Sequence, residues 1–288
     1  MPIKQYYRPT SLEEATELLT SFAESARILA GGTDLLTQLS EYPGPETHLV
    51  SLRDIKELRG IRKNQGGQVS IGAMVRHAEL ARDPIVNRHF PALARASALV
   101  GSPSIRNRGT IGGNICNASP SADTAPPLLA YDARVVIWTP SGEREEEIQD
   151  FFTGPSATIL GRGQILRRFI LSPRRGLIAA YEKLGIRKAM EIGIVNACVS
   201  IVMDARSLCS RIRIALGAVA PTPIRSETAE NILRGQNITH ELIRMAAEAA
   251  MEEAKPISDM RASAAYRREM IGVLIRRMVS ELAEIHDA

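Results

Sequence analysis

Two short glycine clusters are the residues best placed to do chemistry. In Ile28-Leu29-Ala30-Gly31-Gly32-Thr33-Asp34-Leu35, an apolar strand runs into two glycines and then into a helix start. Glycine lets the backbone take φ > 0 and approach a ligand closely. Successive free N–H groups at such a junction make a concave anion site, and the helix dipole adds to it. A pyrophosphate fits that geometry, although a strand–Gly-Gly–helix turn can also be purely structural. The second cluster, Gly109-Thr110-Ile111-Gly112-Gly113-Asn114, again joins glycines to hydroxyl and amide side chains. Ser119-Pro120-Ser121-Ala122-Asp123 follows closely. Asp123 can accept hydrogen bonds from sugar hydroxyls, or it can cap the apolar helix expected over 126–131. Together these residues point to two anion-cradling loops and one extended, phosphate-containing ligand.

Other chemistries are excluded by spacing. Neither loop is a GxGxxG with an acidic residue about 20 positions later, and there is no GxxxxGK[ST] phosphate loop. There is no GxSxG nucleophile elbow. The histidines His48, His77, His89, His240 and His286 show no metal-ligand spacing such as HExxH. Cys116, Cys198 and Cys209 are scattered and odd in number, with no CxxC pair. Neither a disulfide framework nor a cysteine-bound zinc or iron–sulfur site is expected, only reduced and mostly buried thiols. No metal site and no catalytic side chain is expected.

The elements that must hold these loops can be read from periodicity. A helix is expected over 11–25, with Ser11 and Glu14 as a capping box and Leu12, Ala15, Leu18 and Leu19 as its apolar face. A strand over 27–30 follows, then a helix from Leu35 capped by Thr33-Asp34, then a strand over 48–52. This is a small β-α-β-like unit. Further strands are expected at 68–72 and 133–138, with helical patterns over 76–99. The segment from Gly101 to Pro127 is rich in Gly, Pro, Ser and Asn and reads as a long functional loop. A Pro/Arg/Gly-rich stretch at 172–176 reads as a boundary. Beyond it come strands at 194–203 and 211–219 and helices at 226–234, 239–254 and 261–285. Tyr266, Met270, Leu274, Met278 and Leu282 form one stripe of the last helix and are expected in the core.

The 288 residues are 44% hydrophobic and 24% charged, an ordinary globular composition for two or three compact units. No apolar run is long enough for a transmembrane helix. The first seven residues show no signal-type pattern, which makes the cytoplasm the expected location. The net charge is +4 and the pI about 9.1. The arginine doublets at 167–168, 174–175, 267–268 and 276–277 are dispersed rather than clustered on one face. They read as solvated faces or subunit contacts, and no nucleic acid is expected as a partner.

The pair of loops resembles the FAD-binding (medium) subunits of the molybdenum hydroxylase family, which includes the flavoprotein subunits of xanthine dehydrogenase, carbon monoxide dehydrogenase and 4-hydroxybenzoyl-CoA reductase. A Gly-Gly loop near residue 30 and a Thr-Ile-Gly-Gly-Asn loop near residue 110 occur in that family as they do here. Tyr7-Arg8-Pro9-Thr10-Ser11-Leu12-Glu13-Glu14-Ala15 resembles the family's opening, and Ser102-Pro103-Ser104-Ile105-Arg106-Asn107-Arg108-Gly109 its lead-in to the second loop. Gly217-Ala218-Val219-Ala220-Pro221-Thr222-Pro223-Ile224-Arg225 and Ser263-Ala264-Ala265-Tyr266-Arg267-Arg268 resemble its C-terminal domain. The resemblance covers nearly the whole chain.

The resemblance implies an α+β fold. Residues 1–57 and 58–176 would form a two-part FAD-binding domain of the vanillyl-alcohol-oxidase type. Residues 177–288 would form a C-terminal domain of a small antiparallel sheet and helices. Ile28, Leu29, Ala30, Gly31, Gly32, Thr33, Asp34 and Leu35 would hold the FAD pyrophosphate through backbone N–H groups. Thr110, Ile111, Gly112, Gly113 and Asn114 would give a second diphosphate and ribityl contact, and Asp123 would bind sugar or ribityl hydroxyls. Leu166 and Lys183 would border the flavin or adenine, with Tyr181 or Glu182 as alternatives to Lys183, and Val100 would lie against the cofactor. The family's cysteine-bound cluster insertion, present in 4-hydroxybenzoyl-CoA reductase, is missing. Leu166-Arg167-Arg168-Phe169 is more basic than the usual strand there. The implied function is electron transfer from a 2Fe-2S small subunit to NAD, a quinone or another carrier, beside a molybdenum-cofactor large subunit, in a dimer of heterotrimers. A stand-alone FAD-dependent oxidase or dehydrogenase is the alternative.

Overall fold

The computed structural model describes residues 3–42, 47–187 and 190–284. Met1, Pro2, His286 and residue 285, the expected end of the last helix, lie outside the described residues.

The first layer is a three-stranded parallel sheet of β1 (Ile3–Tyr7), β2 (Ala26–Leu29) and β3 (Thr47–Ser51), in the order β1-β3-β2. Every residue of β3 is buried, as befits the central strand. The helix α1 (Leu12–Phe22) lays Leu12, Ala15 and Leu19 on it. Ser11 Oγ accepts from the Glu14 N–H at 3.1 Å, and the Glu14 carboxylate accepts from the Thr10 N–H at 2.8 Å. The reciprocal half of the expected capping box is thus displaced by one residue. The helix α2 (Leu35–Glu41) connects β2 to β3. Asp34 holds its N-cap position, but no side chain caps it, contrary to expectation. The strand β1 was not anticipated, because an edge strand with four exposed residues carries no apolar alternation.

Along the chain follow β4 (Ile61–Lys63), β5 (Val69–Gly72), and, over the expected helical patterns, three helices: α3 (His77–Leu80), α4 (Pro84–His89) and α5 (Pro91–Ala98). Pro84 and Pro91 each open a new helix, because proline suits a first turn and breaks an interior. The stretch read as a long loop contains two short helices, α6 (Pro103–Arg106) and α7 (Ile111–Cys116), and the start of a third, α8 (Ala125–Ala130). Ser102 and Thr110 cap the first two, accepting from Ile105 N at 3.2 Å and Gly113 N at 3.0 Å. Then come β6 (Arg134–Thr139), β7 (Gly142–Glu147), the small hairpin of β8 (Phe152–Gly154) and β9 (Ala157–Thr158), and β10 (Ile165–Leu171). The second sheet is antiparallel, in the order β4-β5-β10-β6-β7.

The third layer is an antiparallel sheet of β11 (Leu177–Leu184), β12 (Val195–Met203), β13 (Cys209–Gly217) and β14 (Ile224–Arg225), in chain order. The helices α9 (Glu227–Leu233), α10 (His240–Glu253) and α11 (Ala264–Leu282) pack on one face of it. The other face, through Tyr181, Cys198 and Ala215, joins the core beneath the second sheet. Two expectations for α11 need correction. Tyr266 is 46% exposed, whereas Leu274 and Met278 of the same stripe are buried. Arg267 is not on a solvated face. It is 3% exposed, and its guanidinium donates to the carbonyls of Ile194 (2.6 Å) and Ala218 (3.2 Å) and to Asp259 (2.8 Å). The conversion Arg267→Met leaves those acceptors unpaired, and it should lower stability by about 2–4 kcal/mol in a denaturant titration. The same conversion at Arg268, whose side chain bonds only one carbonyl at an exposed site, should change stability by less than about 1 kcal/mol.

Candidate cofactor site

The end of β2 delivers Ala30-Gly31-Gly32 to the start of α2. Only Gly32 takes a positive φ, +77°. Gly31 is glycine for a different reason. A Cβ there would lie 2.3 Å from the Arg108 carbonyl oxygen and 2.8 Å from Gly109 Cα. The two glycine loops therefore meet backbone to backbone. The N–H groups of Gly31, Gly32, Thr33, Asp34 and Leu35 donate to no acceptor among the described residues. Five successive free donors at a helix start form an anion cradle.

The second loop is built differently, although both were read as anion-cradling glycine loops. Ile111 N–H donates to Val75 O at 2.9 Å, and Gly112 N–H to Ala73 O at 2.8 Å. Gly113 N–H is taken by the Thr110 hydroxyl, and Asn114 N–H by the Thr110 carbonyl at 2.9 Å. Two of these backbone donors pin α7 to the residues just after β5, and the other two are taken by Thr110. A Cβ on Gly112 would lie 2.6 Å from Ala73 O, so this glycine serves that close packing. What the loop offers a ligand is side chains. Asn114 accepts from Thr124 Oγ1 at 2.6 Å through its Oδ1, which leaves its amide hydrogens for a guest.

Between the loops lies a cavity of about 600 Å³, a volume common for ligand sites. Of the residues expected at the site, Ile28, Ala30, Gly31, Gly32, Thr33, Asp34, Leu35, Val100, Thr110, Gly112, Gly113, Asn114, Asp123 and Leu166 line it. Leu29, Ile111 and Lys183 are not among its lining residues. The Leu29 side chain sits behind the Gly32 turn, and Ile111 is fully buried in the core. Lys183 spends its ammonium elsewhere, on Asp123 Oδ2 (2.8 Å), Glu191 O (2.8 Å) and Leu99 O (3.3 Å).

Asp123 is neither a free ligand nor a helix cap. Thr124 holds the N-cap position of α8. The Asp123 carboxylate accepts from Lys183, from the Tyr181 hydroxyl at 2.8 Å, and from Asn196 Nδ2 at 3.4 Å. Burial pushes this carboxyl above its ordinary range, against the pull of Lys183 and the two neutral donors. Tyr181, buried and facing that carboxylate, is held well above its usual range and stays a donor. Its alternative, Glu182, instead pairs with Arg277. The basic pair after Leu166 is neutralised locally: Arg167 meets Glu57 and Glu143, and Arg168 meets Glu143.

The structure adds residues that sequence reasoning missed. Ser102, Ser119 and Ser121 line the cavity, and all three lay inside the quoted motifs. Met190, Glu191 and Ile192 reach it from the segment after β11 and left no sequence signal. His77 also lines it, at 2% exposure, and its Nδ1 has no partner among the described residues. Nothing in its spacing marked it.

Two family comparisons bear on this geometry. Residues 2–173 match the FAD binding domain in molybdopterin dehydrogenase, and residues 179–282 match the CO dehydrogenase flavoprotein C-terminal domain. The chain belongs to this flavoprotein family. FAD is its cofactor, and the residues present fit it: one anion cradle, one amide-bearing wall and an apolar border at Val100 and Leu166. A xanthine dehydrogenase FAD-binding subunit of Escherichia coli is 35% identical over 96% of this chain and 94% of its own. The carbon monoxide dehydrogenase medium chain of Hydrogenophaga pseudoflava is 36% identical over 97% and 96%. A solved carbon monoxide dehydrogenase from Hydrogenophaga pseudoflava superposes with a TM-score of 0.94 at 35% identity, covering 99% of both chains. Quinoline 2-oxidoreductase from Pseudomonas putida 86 gives 0.91 at 31% identity, with 99% of both chains covered. The fold is accordingly the two-part FAD-binding domain with its C-terminal flavoprotein domain. Among the described residues no His, Cys, Asp or Glu cluster could hold a metal ion, and no helix is long and apolar enough to cross a membrane.

The His77 imidazole is pushed down from 6.5 to about 4, first by burial and then by the Arg106 charge. The folded chain therefore keeps it neutral while the unfolded chain protonates it below pH 6.5. Stability is lost as pH falls through that window. In FAD-free protein, wild type should lose roughly 2 kcal/mol relative to His77→Gln between pH 7 and pH 5, measured by urea titration at both values. A constant difference between the two proteins would show that His77 is not held neutral.

Proposed function

We propose that this chain is the FAD-binding electron-transfer subunit of a cytoplasmic molybdenum-cofactor hydroxylase or dehydrogenase. Its partners are a 2Fe-2S small subunit and a molybdenum-cofactor large subunit, in a dimer of heterotrimers. FAD held here would supply storage for two electrons between the 2Fe-2S subunit and an external acceptor, NAD, a quinone or another carrier. Residues 1–57 and 58–176 hold the cofactor between them, and 177–288 close its far side.

The observation that carries this reading is the row of free N–H groups at Gly31–Leu35, set opposite the Asn114 amide across one cavity. Those N–H groups bind the FAD diphosphate, and Thr110 and Asn114 contact it with side chains. Asp123, held by Lys183, Tyr181 and Asn196, accepts from ribityl or sugar hydroxyls. Lys183 acts through Asp123 and by fixing the Glu191 carbonyl. Val100 and Leu166 exclude water from the ring system. No side chain acts as nucleophile or general base; the chain positions and shields its cofactor.

Gly32→Val should release FAD, because a β-branched residue opposes φ +77° and meets Leu36 Cδ1 at 3.0 Å. Gly113→Val, whose Cβ points at Thr110 Oγ1 (3.0 Å) and Ala30 Cβ (3.7 Å), should do the same from the other wall. Flavin absorbance per chain should fall at least about tenfold with the far-ultraviolet circular dichroism unchanged. Full flavin content in both variants would sink the site assignment.

A further inference from the structure

A second cavity, of about 550 Å³, lies apart from the FAD site and shares no lining residue with it. It is lined by Arg174, Arg211, Arg213, Arg225 and Arg234, together with Ser210, Asn231, Glu227 and Glu230. Sequence reading treated Arg174, in the 174–175 doublet, as dispersed and did not single out the charge of the other four. The fold gathers them: Arg211 and Arg213 are alternate residues of β13, Arg225 lies on the neighbouring β14, Arg234 follows α9, and Arg174 comes from the turn before β11.

Two carboxylates organise the five guanidiniums. Asp132 accepts from Arg211 at 2.6 Å and Arg213 at 2.8 Å, with Arg174 at 3.5 Å. Glu230, wholly buried, pairs with Arg225 at 2.5 Å, and Arg213 and Arg234 lie at 3.5 and 3.6 Å. With Glu227, three carboxylates face five guanidiniums, so two positive charges are left over. They are crowded: burial first, with Arg213 and Arg174 beside it, pulls Arg211 below its ordinary range despite Asp132. A structural ion-pair network needs charge balance, not a surplus packed into a concavity. The two rim guanidiniums, Arg174 and Arg234, are about half exposed and make only long contacts to these carboxylates.

We propose that this cavity is a second anion site, which takes the phosphate of a phosphorylated small molecule. A phosphate monoester is close to a dianion at pH 7 and matches the surplus of two charges. The planar forks of arginine bind such a group through paired N–H donors. Arg174 and Arg234 are the more exposed guanidiniums that would turn onto it, Arg234 by giving up its bond to the Asn231 side-chain oxygen (3.0 Å), while Arg211, Arg213 and Arg225 stay fixed by Asp132 and Glu230. The Asn231 side-chain NH2 adds neutral donors at the wall, whereas the Ser210 hydroxyl already donates to the Val202 carbonyl at 2.9 Å. The site is distinct from the FAD diphosphate cradle and does not depend on it.

The FAD-loaded full chain is titrated with inorganic phosphate by calorimetry at constant ionic strength, with acetate as the monoanion control. One site with a Kd of about 1 mM or tighter is expected for phosphate, and at least tenfold weaker binding for acetate. The double variant Arg174→Gln/Arg234→Gln should keep its flavin and lose at least tenfold in phosphate affinity. The Gly32→Val chain should lose flavin and keep phosphate. Absent phosphate binding, undiminished binding in the double variant, equal binding of acetate, or loss of phosphate binding in Gly32→Val would each overturn the proposal. Flavin content is read separately, so failure here leaves the FAD assignment standing.

Discussion

The site depends on one steric contact. Gly31 lies so close to Arg108 and Gly109 that any side chain would run into the Arg108 carbonyl. That contact joins the parallel sheet to the helical stretch of the second unit, and it sets the gap between the two walls of the cavity. The second wall is held in turn by Gly112 against Ala73, with Ile111 and Gly112 bonded to the residues just after β5. Backbone therefore packs on backbone at two successive points. The consequence is an asymmetry. Donors consumed in fixing α7 are unavailable to a ligand, whereas those at Gly31–Leu35 have no acceptor among the described residues.

Electrostatics closes the far side. Asp123, Lys183, Tyr181 and Asn196 form a buried network that ties the segment before α8 to β11 and β12. A buried carboxylate is tolerable only when such partners satisfy it. The same network holds the Glu191 carbonyl, and with it the segment that reaches the cavity mouth. A second set of charges joins the second unit to β13 through Asp132, while Glu230 of α9 ties Arg225 of β14 within the third layer. Third-layer packing thus rests on shared core residues such as Tyr181 and Cys198 and on two polar junctions of opposite character.

Much of this was legible in the sequence, for physical reasons. Glycine pairs at strand–helix junctions and Ser or Thr caps are local signals, and they located both loops and the caps of α1 and α10, Ser11 and Thr239, but not α7 or its Thr110 cap. Strands that are buried on both faces, such as β3 and β12, showed as apolar runs. Edge strands did not: β7 is Gly-Glu-Arg-Glu-Glu-Glu, and it pairs with β6 through backbone bonds and an Arg134–Glu145 ion pair, with no apolar run. Which N–H groups stay free could not be read locally, because the acceptors Ala73 and Val75 lie some 40 residues before their donors. The burial of His77, the partners of Lys183 and the gathering of five arginines are likewise products of long-range packing.

The central claim is that the Gly31–Leu35 backbone recognises the diphosphate of FAD. Equilibrium binding of FAD and of riboflavin to the flavin-free chain tests it most directly, since the two share the flavin ring and ribityl chain and differ in the diphosphate and adenosine. Charge-assisted hydrogen bonds contribute about 1.5–3 kcal/mol each, so two of them predict FAD binding at least about 100-fold tighter than riboflavin. FMN, with one phosphate, should fall between them. Equal affinity for FAD and riboflavin would mean that the cradle holds no phosphate, and the account given for the site would be wrong.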